Sequence, residues 1–100
     1  MNALATLNDQ FRKSWREEIF TPGIISAVSD HFGLAQAIES FVEFTEDNDP
    51  YGEQDFVSLE FEGQKVFFKI DYYDQTLSRW CDPLDNACRR TMTIMLASEY

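Results

Sequence analysis

Leu4, Leu7, Phe11 and Trp15 recur at steps of three and four, which predicts an amphipathic helix over residues 3–16 with one apolar stripe. Arg12, Lys13 and Arg16 fall on its other sides, where they read as an anion-binding patch or, more simply, as a solvated face near acids of the same chain. Thr21-Pro22-Gly23 is a turn signal, and Ile19-Phe20 just before it read as a short strand. Beyond Ser29 or Asp30, either a suitable N-cap, Leu34, Ile38, Phe41 and Val42 fall at i, i+4, i+7 and i+8, so a second helix is expected over residues 30–45.

The period then changes from helical to two. In "DFVSLEFEGQKVFFKIDYY", residues 55–73, alternation surrounds Glu62-Gly63, a pair suited to a two-residue hairpin turn with positive φ. That turn sets Phe61 against Gln64, Leu59 against Val66 and Val57 against Phe68. One face then collects Val57, Leu59, Val66, Phe68 and Ile70, while Glu60 opposes Lys65 on the other. The segment from Asp71 to Arg90 is polar and turn-rich. Met92, Ile94 and Leu96 alternate with Thr91, Thr93 and Met95, which reads as a last strand over residues 91–97 in preference to a helix. The expected fold is α+β: a small antiparallel sheet, made of the hairpin and the C-terminal strand, packed against two helices.

Composition narrows the function more than the fold. A chain of 100 residues, 44% hydrophobic and 15% aromatic, suits one domain spanning residues 1–100. Its 18 acids against 8 bases give a net charge of -10, which repels phosphate backbones and anionic membranes and argues against direct nucleic-acid or membrane binding. The N-terminus does not read as a secretory signal, and no run approaches the roughly 20 apolar residues that span a bilayer, so a cytoplasmic location is expected. Cys81 and Cys88 then read as reduced thiols. With His31 remote from both, a zinc site is not expected, nor is any cofactor.

The charge is unevenly placed. From Glu39 to Glu62 there are nine acids and no Lys or Arg. Set against a twelve-residue calcium loop, Asp47, Asp49, Gly52 and Asp55 match positions one, three, six and nine. Tyr51 and Ser58 stand where the fifth and twelfth positions need oxygen ligands, and a strand follows where a helix should, so the calcium reading fails. No nucleophile pattern or glycine-rich phosphate loop completes an active site around these carboxylates. What remains is a negative surface: either a plain solvated face or a binding face for a positive partner, formed by Glu39, Glu43, Glu46, Asp47, Asp49, Tyr51, Glu53, Asp55, Glu60 and Glu62. Acids two apart on a strand, such as Glu60 and Glu62, sit about 6.8 Å apart, close to the phosphate spacing of a duplex strand.

Three stretches carry a resemblance: "EDNDPYGEQDF" (Glu46 to Phe56), "FFKIDYYD" (Phe67 to Asp74) and "TIMLASEY" (Thr93 to Tyr100). They resemble a family of small bacterial proteins, often plasmid- or phage-associated, that carries only a domain-of-unknown-function label. The family pattern has His where this chain has Gln54. The resemblance implies one compact domain and a mobile-element origin, and it transfers no catalytic residue. Together with the acidic face it suggests a non-enzymatic inhibitor that blocks the nucleic-acid groove of a basic host defence effector, of the anti-CRISPR or anti-restriction type. The alternatives are a small metal-dependent or hydrolytic enzyme using Asp47, Asp49 and Asp55, and a structural protein that self-associates through exposed aromatics.

Overall fold

The computed structural model describes residues 2–14 and 18–100. In chain order it comprises helix α1 (Ala3–Ser14), strand β1 (Glu18–Phe20), helices α2 (Pro22–Ala27) and α3 (His31–Glu39), strands β2 (Phe56–Phe61), β3 (Gln64–Tyr73) and β4 (Arg89–Leu96), and a closing 3-10 turn (Ala97–Glu99). The sheet order is β1-β4-β3-β2.

The hairpin forms in the expected register, Phe61 opposite Gln64 through Val57 opposite Phe68. Its turn has the positive φ that the Glu62-Gly63 pair predicts, 52° and 74°. β4 lies antiparallel to β3, with Ile94 opposite Phe68 and Met92 opposite Ile70. The α+β class therefore holds. The sheet is mixed, not wholly antiparallel, because the short β1 runs parallel to β4. α2 and α3 separate β1 from the next strand, so no tight hairpin forces β1 to reverse.

One core joins the inner face of the sheet (Val57, Val66, Phe68, Ile70, Met92, Ile94) to Ile24 and Val28 of the α2 segment and to Leu34 and Ile38 of α3. α2 replaces the turn expected at Thr21-Pro22-Gly23. Thr21 caps it, accepting a hydrogen bond from the Ile24 N–H at 3.4 Å, and Pro22 occupies the first turn, where its missing N–H costs nothing. Asp30 caps α3 as anticipated, accepting from the Gly33 N–H at 2.9 Å. α3 stops at Glu39, short of residue 45: the Phe41 N–H falls back to the Ile38 carbonyl at 3.2 Å and the Ser40 hydroxyl donates to the Gln36 carbonyl at 2.8 Å, while beyond the end the Arg12 guanidinium donates to the Phe41 carbonyl at 3.0 Å. Phe41 still packs on the core, with its ring 6.2 Å from Phe68, but Val42 points outward, 74% exposed.

α1 corrects the stripe as well. Phe11 packs on the core and Leu4 is half-buried, as the stripe predicts, but Leu7 is 37% exposed, Trp15 and Arg16 lie outside the described residues, and the buried positions are Ala5, Asn8 and Arg12. Arg12, read above as a cation on a solvated face, is 1% exposed: it pairs with Asp9 at 2.8 Å and lies over the Phe44 ring at 5.1 Å. Asn8 is 0% exposed; its amide donates to the Glu53 carbonyl and the Tyr72 hydroxyl, both at 2.9 Å, and accepts from Arg90 Nε at 2.9 Å. The helix is thus docked by polar groups as well as by apolar packing. Asn8→Ala orphans Arg90 Nε and the Glu53 carbonyl, and we expect it to cost about 2 kcal/mol in urea unfolding. Leu7→Ala, on the half-open side of the same helix, should cost under about 1 kcal/mol.

Candidate functional site

The acidic loop runs from Ser40 to Asp55 between α3 and β2. Its first half is a closed ring of hydrogen bonds. The Thr45 N–H donates to Asn48 Oδ1 at 2.8 Å, the Asn48 N–H returns to Thr45 Oγ1 at 3.3 Å, and Asn48 Nδ2 reaches the Glu43 carbonyl at 3.0 Å. The second half is a β-turn, Asp49-Pro50-Tyr51-Gly52, closed by the Gly52 N–H on the Asp49 carbonyl at 3.0 Å. Asp at the first, Pro at the second and Gly at the fourth position are what such a turn favours, and Gly52 takes φ 65°. Tyr51 stands at the tip, 81% exposed.

Asp49, read from the sequence as part of the solvated or binding face, is drawn inward instead. It is 9% exposed, and its carboxylate accepts the N–H groups of Glu53 (3.1 Å) and Gln54 (3.0 Å), holding Gln54 at φ 57°. Asp55 is likewise engaged, accepting from the Tyr72 hydroxyl at 2.9 Å. Burial pushes the Tyr72 hydroxyl far up, and donation to Asp55 and that carboxylate's charge add to the rise, so it stays a protonated donor at neutral pH. Arg90 completes this junction from β4: it lies 5.3 Å from the Tyr72 ring and donates to the Pro83 carbonyl at 2.7 Å. From below, Asn2 Nδ2 donates to the Gly52 carbonyl at 3.1 Å. The loop is therefore braced by α1, β3 and β4.

Glu53 stays half-buried; burial first, then the nearby Asp55 and Asp49, raise its pKa above the ordinary carboxylate value. Glu62 is not paired with Glu60 along a strand. It sits in the hairpin turn, and its carboxylate accepts from the Ser29 N–H and hydroxyl, both at 3.0 Å, and from the Asp30 N–H at 2.9 Å. The Ser29 and Asp30 amides hold it below the ordinary carboxylate range. Glu43 and Glu46 lie beyond the end of α3, so no helical repulsion with Glu39 acts on them.

Of the ten acids and aromatics expected on the face, Glu43, Glu46, Asp47, Tyr51, Glu60 and Glu62 are exposed, Glu39, Glu53 and Asp55 are half-buried, and Asp49 is buried. None of these carboxylates forms an ion pair among the described residues. Asp47, Asp49 and Asp55 are not gathered into a ligand set: two are drawn to separate internal donors, and among the described residues no three metal-ligating side chains converge. Cys81 and Cys88 are free thiols, and burial raises the pKa of Cys88. No described helix is long and apolar enough to cross a membrane.

Sequence reasoning missed Asn8, Arg12, Tyr72 and Arg90, the side chains that hold the loop. The available signal was the one-turn spacing of Asn8 and Arg12, which places both on one face of α1.

Glu62 tests whether an acid of this set is structural. Its folded pKa is depressed, so its contribution to stability is present above the unfolded value near 4.5 and is lost as pH falls through the folded value. Glu62→Gln should lower the melting temperature at neutral pH. The difference from wild type should shrink in melts taken progressively further below about pH 4.5.

Neither the comparison with curated proteins nor that with solved structures gives a match. Residues 20–99, from the last residue of β1 through the acidic loop and the hairpin to the closing turn, match the family model described as protein of unknown function DUF3768, and the chain belongs to that family.

Proposed function

We propose that this chain is a small acidic binding protein without catalytic function. Its exposed loop docks on the basic, nucleic-acid-binding groove of a partner protein and blocks it. The observation that supports this reading most is the state of the loop: Glu43, Glu46 and Asp47 are exposed and free of ion pairs among the described residues, and they lie beside the projecting Tyr51 on a backbone braced from beneath. Glu53 and Glu60 extend the negative surface, and Glu39 borders it. Asp49, Asp55 and Glu62 act through the scaffold. An aromatic tip among carboxylates suits recognition of a cationic groove, where charge speeds encounter and a ring supplies a contact that charge alone does not. A fixed loop also loses less conformational freedom on binding than a mobile one.

The partner class that fits is a cytoplasmic nucleic-acid-binding protein. The bacterial mobile-element setting implied by the family resemblance points to a host defence effector, a restriction nuclease or an RNA-guided one. The net charge of -10 keeps the chain itself off nucleic acid and anionic lipid.

The test is capture from nuclease-treated bacterial lysate with the immobilised protein, washed at low and then high salt and read by mass spectrometry. Wild type should retain one basic nucleic-acid-binding protein and release it at high salt. The triple variant Glu43→Lys, Glu46→Lys, Asp47→Lys, with Asp49 kept, should lose it while keeping the wild-type circular dichroism spectrum. Retention of the same protein by the folded triple variant would refute the reading.

A further inference from the structure

β2 ends the sheet, and one of its edges is unpaired among the described residues. Its hydrogen-bonding parity is fixed. The Ile70 N–H donates to the Asp55 carbonyl at 2.7 Å, and a two-residue turn closes the pair Phe61–Gln64. In an antiparallel ladder bonded pairs alternate, so residues 55, 57, 59 and 61 direct their N–H and C=O groups to β3. Phe56, Ser58 and Glu60 direct theirs to the open edge. No backbone or side-chain group of the described residues bonds to any of them there.

Open edges are normally blunted by proline, a bulge, charged side chains along the edge or an inward-pointing charge. β2 carries one edge charge, Glu60, and none of the other devices: its register with β3 is unbroken from Phe56 to Phe61, and its inward residues are Val57, Leu59 and Phe61. Its outer face carries Phe56 in an aromatic cluster with Phe67 and Tyr100, at centroid separations of 5.2 and 5.4 Å.

The strand is also complementary to itself. An antiparallel copy placed about a two-fold axis at Ser58 makes bonded pairs of Phe56 with Glu60, Ser58 with Ser58 and Glu60 with Phe56, and each pair exchanges both main-chain bonds. Val57 then faces Leu59 of the second copy on the core side, and Asp55 faces Phe61. No acid faces an acid. Shifting the axis to residue 57 or 59 leaves only two bonded pairs, and shifting it to Glu60 sets Glu60 against Glu60. The Ser58 register is the one that satisfies the whole free edge without opposing like charges.

We infer that the free edge of β2 is a self-association surface, on which a second copy of this chain adds its own β2 antiparallel about Ser58 to continue the sheet across a dimer. Each copy carries -10, so the dimer forms against net repulsion and tightens as salt screens it. A complex between the acidic loop and a basic partner weakens with salt. The two surfaces are therefore separable, and either can fail without the other.

Sedimentation equilibrium over a micromolar to millimolar range, at low and high salt, tests it. The expected result is a reversible dimer of twice the 11.7 kDa chain, favoured by high salt. Ser58→Pro removes an outward N–H and no bond to β3, and it should weaken the dimer by at least about tenfold. Should that variant fail to fold, Ser58→Lys sets two ammonium groups together on the axis and should act likewise. A third readout is amide exchange in the wild type, where Phe56, Ser58 and Glu60 should gain protection as protein concentration rises. A single-chain mass at every concentration would overturn the proposal and leave the edge to a strand from another protein. So would a dimer that folded Ser58 variants keep at full strength, or protection at these amides that ignores concentration.

Discussion

Asn8 has no exposure to solvent, and its one carboxamide meets three separate elements: the Glu53 carbonyl in the acidic loop, the Tyr72 hydroxyl on β3 and the Arg90 guanidinium on β4. A buried amide with unmet donors or an unmet acceptor is costly, so each of these contacts requires the others to be in place. Tyr72 passes the constraint on to Asp55 at the start of β2, and Arg90 passes it to the Pro83 carbonyl in the β3–β4 connection. The position of α1, the mouth of the loop and the far end of the hairpin are thus one linked decision. Apolar packing brings the layers together; this junction fixes how they are aligned.

The same junction bears on the surface. Arg12 is withdrawn almost wholly into the interior, and Arg90 is turned in toward Tyr72 and Asn8. Cations so placed offer no donor to an approaching molecule, because they are held by Asp9, the Phe41 carbonyl and aromatic rings, while their charge still counts toward the field outside.

The fold was legible where local rules and burial agree. The hairpin register followed from alternation plus one turn pair, and β4 from its Thr and Ile content with Met92 and Ile94 on one face. Legibility failed where a distant side chain intervened. The path of the chain after α3 is held by Arg12 reaching the Phe41 carbonyl 29 positions away, and periodicity cannot register that. α2 was hidden because Thr-Pro-Gly serves a turn and a capped helix start equally, and the choice is made by Ile24 and Val28 joining the core. β1 was visible as a strand, but its partner and direction come only from the tertiary arrangement. For the candidate site, the run of acids was legible in the sequence, while the Asp49-Pro50-Tyr51-Gly52 turn and the division of labour among those acids emerged only from the hydrogen bonds of the fold.

That division follows from what each carboxylate can reach. Asp49 finds the N–H groups of Glu53 and Gln54, Asp55 finds a hydroxyl, and Glu62 finds the start of α3. Each replaces water with donors already fixed in direction, and each pins a backbone segment in doing so. Glu43, Glu46 and Asp47 lie on the neighbouring segment, held by the Thr45–Asn48 ring, and stay exposed. Charge and shape are therefore not independent variables along this loop. Reversing Asp49 removes the brace that holds Gln54 in its left-handed conformation, and so alters the loop's path as well as its potential. Reversing Glu46 or Asp47 alters the potential alone, and only substitutions of that second kind report on electrostatic recognition.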